Sequence, residues 1–352
     1  MELALIGFPQ SGKKTLLSAL ARGRVESGSG SRQEVQVGMA KLVDPRLSTL
    51  VDIAKPDKLV HAEIKFLSIP SIPAAGKEDS LIAGQSLNLL QAADALVHVV
   101  RAFDDSLVTS HVSEMNRKLV LSDMGILERR LERVESNLKG ATGHDRDVLQ
   151  REATLVERIW EGLDRGVPVR EQEVRPDEAG TLANYQPLTS KPLLIVLNQG
   201  DDDVTKPQQE LEAEFEAPGV SVTSLCGKLE MELTQLSAED EGQFRESLGL
   251  VDPGVDRVAR MSYELLSLVS FFTQGPKEVR AWTIPSETPA AKAAAKIHSD
   301  IERGFIRAEV MSFEDLARCG SVAKCKKEGV FRAEGKGYIV KDGDVITFLF
   351  NV

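Results

Sequence analysis

Leu3-Ala4-Leu5-Ile6-Gly7-Phe8-Pro9-Gln10-Ser11-Gly12-Lys13-Lys14-Thr15 decides the reading of this chain. Leu3 to Ile6 is a short apolar strand. Gly7 and Gly12 bracket a loop with the spacing G-x-x-x-x-G-K-[ST], and Lys13 follows the second glycine. Leu16, Leu17 and Leu20 then recur at helical spacing over Lys13 to Arg22. Glycines in such a loop let backbone N–H groups turn inward around phosphate oxygens, and the positive end of the following helix adds attraction. A lysine at this point reaches the β- and γ-phosphates. Gly7, Gln10, Ser11, Gly12, Lys13, Lys14 and Thr15 are therefore the candidate phosphate contacts. The motif departs at one place. The position after Lys13 normally carries a hydroxyl that ligates Mg²⁺, and here it is Lys14. An ammonium has no lone pair to offer a cation and repels one. Thr15 has a hydroxyl, but one residue further along a helix points about 100° away.

Outward from this loop the chain alternates strand-like and helical stretches. Residues 25–34 are polar and rich in Gly and Ser, which reads as a loop. Apolar runs recur at Ile64 to Ile69, Ala95 to Val100 and Leu193 to Leu197. Buried strands alternating with helices predict an α/β fold, a mostly parallel sheet with helices on both faces. Between Asp123 and Gly166 the pattern changes. Leu127, Leu131, Val134 and Leu138 keep helical spacing, Gly140 to His144 breaks it, and Val156, Ile159 and Leu163 resume it. This predicts an inserted helical hairpin. Near the end, Glu334 to Phe350 reads as two strands joined by the turn Lys341-Asp342-Gly343-Asp344. A strand at Arg280 to Ile284 and a helix from Ala290 to Glu302 complete a small α+β module.

The chain has 352 residues, enough for two or three domains. Its net charge of −11 argues against a protein that coats nucleic acid with its whole surface, and no DNA partner is expected. Pro276 to Val352 holds 13 Lys and Arg against 11 Asp and Glu, a net +2, so this mildly basic end is the part suited to lie near RNA. The N-terminal apolar run is too short for a signal peptide, and no run approaches the roughly 20 residues that span a bilayer. Three scattered cysteines, Cys226, Cys319 and Cys325, suit a reducing compartment, and the last two read as isolated thiols. The five histidines show no ligand spacing, so no zinc site is expected. The expected location is the cytoplasm, with no membrane partner.

Gly7 to Thr15 resembles the G-L-P-N-V-G-K-S-T loop of the YchF family, the Obg-like ATPases. Val43-Asp44-Pro45-Arg46-Leu47 resembles that family's P-D-P-R-L segment. Phe271 to Trp282, Ile297 to Val310 and Asp342 to Ile346 resemble its C-terminal stretches, and the likeness runs nearly end to end. The resemblance implies a P-loop G domain (1–122 and 190–275), an inserted helical domain (123–189) and a C-terminal TGS domain of β-grasp type (276–352). It also implies a cytosolic factor that binds ATP, and GTP less well, and associates with the ribosome. An rRNA or ribosome contact would then fall to the TGS domain and the hairpin.

Against the family's motifs, the metal-side positions are changed. D-I-A-G-L falls on Ser68-Ile69-Pro70-Ser71-Ile72. The carboxylate is lost at Ser68, and the glycine that would meet the γ-phosphate is Ser71. The switch K-G-E-G-L-G-N becomes Glu78 to Gly84, and T-I-E-P-N-V-G becomes Arg32 to Gly38, losing its threonine. Phosphoryl transfer relies on the metal to neutralise developing charge, so hydrolysis is expected to be weak or absent, and no catalytic residue is named. At the base site the family carries N-x-x-E and guanine-specific proteins carry N-K-x-D. Here the residues are Asn198-Gln199-Gly200-Asp201, with Cys226 and Gly227 in the second base loop. ATP and GTP both stay open as the nucleotide. Two alternatives stand beside this reading: a nucleotide-independent ribosome- or RNA-binding module, and an active Mg²⁺-dependent ATPase. His98 matches a family histidine and reads as a hydrogen-bonded residue of a buried strand.

Overall fold

The computed structural model describes residues 1–27, 35–73, 82, 84–103, 107–201, 209–250 and 252–351. The switch readings at Arg32 to Glu34, and at Glu78 to Leu81 and Ala83, lie outside the described residues. Two compact units are present: Met1–Met39 with Lys65–Leu265, and Ala40–Ile64 with Leu266–Val352. The sequence reading had put residues 40–64 with the N-terminal domain, so this segment is reassigned.

The first unit is built on a sheet ordered Val25–Ser27, Gln36–Leu42, Ala62–Ser68, Glu2–Ile6, Ala95–Arg101, Leu193–Asn198, Val220–Leu225. Pairing is parallel from Ala62–Ser68 through Val220–Leu225. Val25–Ser27, expected as loop, pairs antiparallel with Gln36–Leu42. Every residue of Leu193–Asn198 is buried, as a strand covered on both faces requires. Leu3, Leu5 and Ile6 are fully buried, so the strand that delivers the glycine loop has a fixed position.

The hairpin helices are Val108–Leu138 and Gly143–Asp164. The first begins fifteen residues before the expected Asp123, because its early turns serve a different core. Val108, Met115 and Leu119 pack with the sheet residues Leu96 and Val100, whereas Val120 and Leu127 pack with Leu155, Ile159 and Leu163 of the second helix. Asp123 sits where the two cores meet. Its buried carboxylate accepts from the Leu188 N–H at 2.6 Å, the Thr189 N–H at 2.7 Å and the Thr189 hydroxyl at 2.6 Å. Burial pushes its pKa up to about 6 even though these donors pull the other way.

The second unit has a mixed sheet ordered Arg332–Glu334, Phe305–Ser312, Asp344–Phe350, Leu268–Gln274, Glu278–Pro285, Lys58–Val60. Two expectations are corrected. Gly337 to Val340 is not a strand: Asp344–Phe350 pairs instead with Phe305–Ser312, and with Leu268–Gln274. The carboxylates of the expected turn explain why. Asp342 accepts the Ser270 N–H at 2.8 Å, and Asp344 accepts the Tyr338 hydroxyl at 2.8 Å, which holds the segment as a turn. The helix expected from Ala290 to Glu302 is two helices, Ala290–Ile297 and Ser299–Arg303. At this break His298 is extended, and its Nδ1 accepts the Asp300 N–H at 3.1 Å, capping the second helix.

Arg46 ties residues 40–64 into this unit. Its guanidinium bonds Asp44 at 2.7 Å and Asp342 at 2.6 Å, and lies 5.0 Å over the Phe272 ring. Cys319 and Cys325 are both free and buried, and burial first, with the neighbouring Cys325 thiol second, raises the Cys319 pKa to about 11. Its thiol also donates to Glu328 Oε2 at 3.4 Å. Among the described residues no helix is long and apolar enough to cross a membrane, and no group of three His, Cys, Asp or Glu could hold a metal ion.

Candidate nucleotide-binding site

The carboxyl ends of adjacent parallel strands gather the candidate residues, as expected where strand order reverses in an open α/β sheet. Glu2–Ile6 leads into the glycine loop, Ala62–Ser68 into Ile69–Ile72, Leu193–Asn198 into Asp201, and Val220–Leu225 into Cys226. Register places Leu5 beside Ser68 and Ile6 beside His98.

The glycine loop is shaped by close approach. A Cβ at Gly7 would lie 2.6 Å from the Val99 carbonyl oxygen. A Cβ at Gly12, which has φ +91°, would lie 2.1 Å from Asn198 Nδ2. No side chain but hydrogen fits at either position. Gln10 holds φ 62°, a conformation a non-glycine residue adopts at a cost. Gly12 precedes the helix Lys13–Leu20 and no side chain caps that helix, so its first-turn N–H groups remain for an anion.

Asn198 is the stitch. Its Nδ2 donates to the Ser11 carbonyl at 2.9 Å, and its Oδ1 accepts the Gly227 N–H at 2.9 Å. One buried amide thus fixes the phosphate loop against the second base loop. The Gln199 N–H adds a bond to the Leu225 carbonyl at 2.8 Å. Asp201 lies beside these loops, more than half exposed. It pairs with Lys228 at 2.5 Å and accepts the Cys226 thiol at 3.3 Å. The Lys228 bond holds the Asp201 carboxylate below its usual range, while burial first and Asp201 second raise the Cys226 thiol.

Lys13 is buried and lies back along its own loop. Its ammonium donates to the Gly7 carbonyl at 2.9 Å, the Ser71 hydroxyl at 2.8 Å and the Phe8 carbonyl at 3.5 Å. Burial, with the neighbouring Lys14 charge second, lowers its pKa to about 8. Lys14 is exposed and Thr15 half-buried. Ser68 is buried. Ser11 is buried too, and its hydroxyl has no partner among the described residues.

His98 lies in a buried strand, as its sequence reading has it. It is buried against Phe8 with ring centroids 6.5 Å apart, and its Nε2 has no hydrogen-bond partner among the described residues. Burial, then the charges of His111 and Lys13, push its pKa down to about 3, so the ring is neutral. Sequence reasoning brought Asn198, Asp201, Cys226 and Gly227 to the phosphate loop. It missed the Lys228 partner of Asp201, the His111 ring 5.1 Å from Phe8, and the hydroxyl of Ser71 as a partner of Lys13. Ser71 had registered only as a lost glycine, and no local pattern signals a contact 58 residues apart.

A strand, a glycine loop and a helix at the carboxyl edge of a mostly parallel sheet define a P-loop G domain, here with a further C-terminal α+β unit. The comparisons agree. The chain is 35% identical over 365 residues to the ribosome-binding ATPase YchF of Bacillus subtilis, covering 99% of this chain and 98% of that protein. It is 34% identical over 361 residues to the protein of the same name from Pasteurella multocida, again covering 99% and 98%. Residues 268–351 match the family model YchF-GTPase_C, described as a protein of unknown function. The solved structure of the Schizosaccharomyces pombe YchF GTPase superposes with a TM-score of 0.84 at 22% identity, covering 99% of this chain and 97% of that one. The chain belongs to the YchF family.

Proposed function

We propose that this chain binds a nucleotide, with the phosphates in the Gly7–Thr15 loop and the base between Asn198–Asp201 and Cys226–Gly227, and that it hydrolyses that nucleotide slowly or not at all. The observation that carries the reading is the pair of hydrogen bonds from Asn198 to Ser11 and Gly227, which holds the two loops in one geometry. The loop amides and the Lys13 helix N-terminus would bind and orient the phosphates. The donor set does not suit a protein-held Mg²⁺: Lys14 offers no lone pair, and Ser68 is a neutral, buried hydroxyl. Lys14 would supply part of the missing positive charge from the rim. Titration of fluorescent ATP and GTP analogues, with Mg²⁺ and with chelator, tests this. Affinity that survives chelation is expected; affinity abolished by chelator would remove Lys14 from the role.

We read the unit containing residues 266–352 as the TGS domain, of β-grasp type, and the helices within 123–189 as an inserted domain. A ribosome partner in the cytoplasm is proposed because relatives such as the Bacillus subtilis protein are named ribosome-binding ATPases. Exposed Lys324, Lys326 and Lys327 on one short helix, with Lys326 4.4 Å over the Phe331 ring, support an RNA-facing role for that unit. A second reading, a ribosome- or RNA-binding module that docks without nucleotide, is favoured by one observation: the Lys13 ammonium is already engaged by its own loop and Ser71. Co-sedimentation with ribosomes separates the two. Docking that ignores nucleotide favours the module. An active ATPase would reveal itself by Mg²⁺-dependent turnover that vanishes in Lys13→Ala.

A further inference from the structure

An ammonium has three N–H donors. Lys13 points one at the Gly7 carbonyl, 2.9 Å away, and one at the Ser71 hydroxyl, 2.8 Å away, with the Phe8 carbonyl at 3.5 Å taking the remaining direction. The side chain is only 5% exposed, packed back along its own loop. The partner that distinguishes this arrangement from a purely local one is Ser71, because the two carbonyls belong to the loop itself.

Ser71 is also held. The Ile69 N–H bonds the Leu5 carbonyl at 3.4 Å and the Ile72 N–H bonds the Gly7 carbonyl at 3.3 Å, so both flanks of Ser71 are anchored to the strand and loop that carry Lys13. Pro70 fixes φ immediately before it. Ile72 is buried in the sheet core after it. The backbone at Ser71 is therefore held within reach of Lys13, and its hydroxyl accepts from the ammonium at 2.8 Å.

We propose that Ser71 sets the phosphate preference of the site, its hydroxyl holding the donor of Lys13 that a γ-phosphate would need, so that a nucleoside diphosphate is favoured over a triphosphate. This rests on the nucleotide reading above. Lys13 is placed to reach both the β- and the γ-phosphate, but the α- and β-phosphates also draw on loop amides and the helix N-terminus, which Ser71 does not touch. The terminal phosphate of a triphosphate depends on the lysine and on the segment that Ser71 occupies. The γ-phosphate has no such share of the loop amides, so a triphosphate bears the cost of taking Lys13 from the hydroxyl and of finding room beside Ser71, whereas a diphosphate, held by the loop amides, is little affected. The loss of one hydrogen bond to a charged group corresponds to about tenfold in affinity.

The experiment compares wild type with Ser71→Ala, Ser71→Gly and Ser71→Thr, using fluorescent ADP, ATP, GDP and GTP analogues. The wild type is expected to prefer diphosphate. Ser71→Ala and Ser71→Gly should tighten triphosphate binding by about tenfold while leaving diphosphate nearly unchanged, and Ser71→Thr, which keeps the hydroxyl, should behave as wild type. Ser71 is exposed, and thermal melts of each variant confirm that the fold is retained. An unchanged ratio, or weaker triphosphate binding in Ser71→Ala, overturns the proposal and leaves nucleotide binding standing. Absence of binding to every variant overturns the nucleotide reading itself, and this proposal with it.

Discussion

The two sides of the candidate site are held by different means. On the loop side, Gly7 and Gly12 are fixed by backbone and amide atoms 2.6 Å and 2.1 Å from where a Cβ would stand, and Asn198 bonds Ser11 and Gly227. On the other side, Lys14 and Ser71 are exposed, and Ser71 touches the site through a single hydroxyl. Close packing restricts the loop side to the residues that fit. An exposed side chain with one contact can be exchanged without disturbing the core. The geometry of the glycine loop is therefore guarded by sterics, whereas the residues at Lys14 and Ser71 are not.

The sharpest way to break this contrast is Gly12→Ala. Its methyl meets the Asn198 amide, so nucleotide affinity should drop by about 100-fold or more in the same titration, and the stitch between the loops should open. Asn198→Ala removes two buried hydrogen bonds without adding bulk. It should cost about 2 kcal/mol of stability, read by urea unfolding, and about tenfold in nucleotide affinity. A third test uses pH. Lys13 deprotonates near pH 8, so affinity for nucleotide should decline above that value, by about tenfold per unit once the ammonium is the minor form. The lowered pKa has the opposite effect on folding. The unfolded chain keeps its proton up to about 10.5 while the folded one releases it near 8, so stability should rise between those values, and Lys13→Met should abolish that rise. The smallest effect is expected from Lys228→Ala. It frees the exposed Asp201 carboxylate for guanine, and should move the GTP-to-ATP affinity ratio toward GTP by about two- to threefold, since an exposed pair contributes little.

The acid side of the fold offers a control outside the site. Asp123 has its folded pKa raised to about 6 from 3.8, so the stability linked to its protonated form is present below 3.8 and is lost as pH rises through about 6. Asp123→Asn should flatten that part of the stability profile, measured by thermal melts, without altering nucleotide titrations at pH 7.

Much of this arrangement was legible in the residues. Short apolar runs flanked by breakers or helical patterns placed the strands Glu2–Ile6, Ala95–Arg101 and Leu193–Asn198, because a strand buried on both faces must be largely apolar. Asn198 and Asp201 could be placed as base-site candidates because Asn198-Gln199-Gly200-Asp201 follows the Leu193 to Leu197 run and resembles the family's N-x-x-E. The C-terminal hairpin misled. Gly337 to Val340 alternates like a strand, yet Asp342 and Asp344 spend their carboxylates on Ser270, Arg46 and Tyr338 and hold the segment as a turn. The long helix Val108–Leu138 was read from its second half alone, since its first turns follow a different core.

The sequence by itself determined the strand–loop–helix, its glycine spacing, the Lys14 substitution and the family, because each is written in consecutive residues or in a fixed local period. Only the tertiary structure decided that residues 40–64 join the C-terminal unit, through Arg46 and an Asp342 that lies 296 positions away. Only it decided that Asn198 binds both loops and that Ser71 rests on Lys13. Those are contacts between segments distant in sequence, formed when parallel strands bring their ends together, and no local pattern of residue types encodes them.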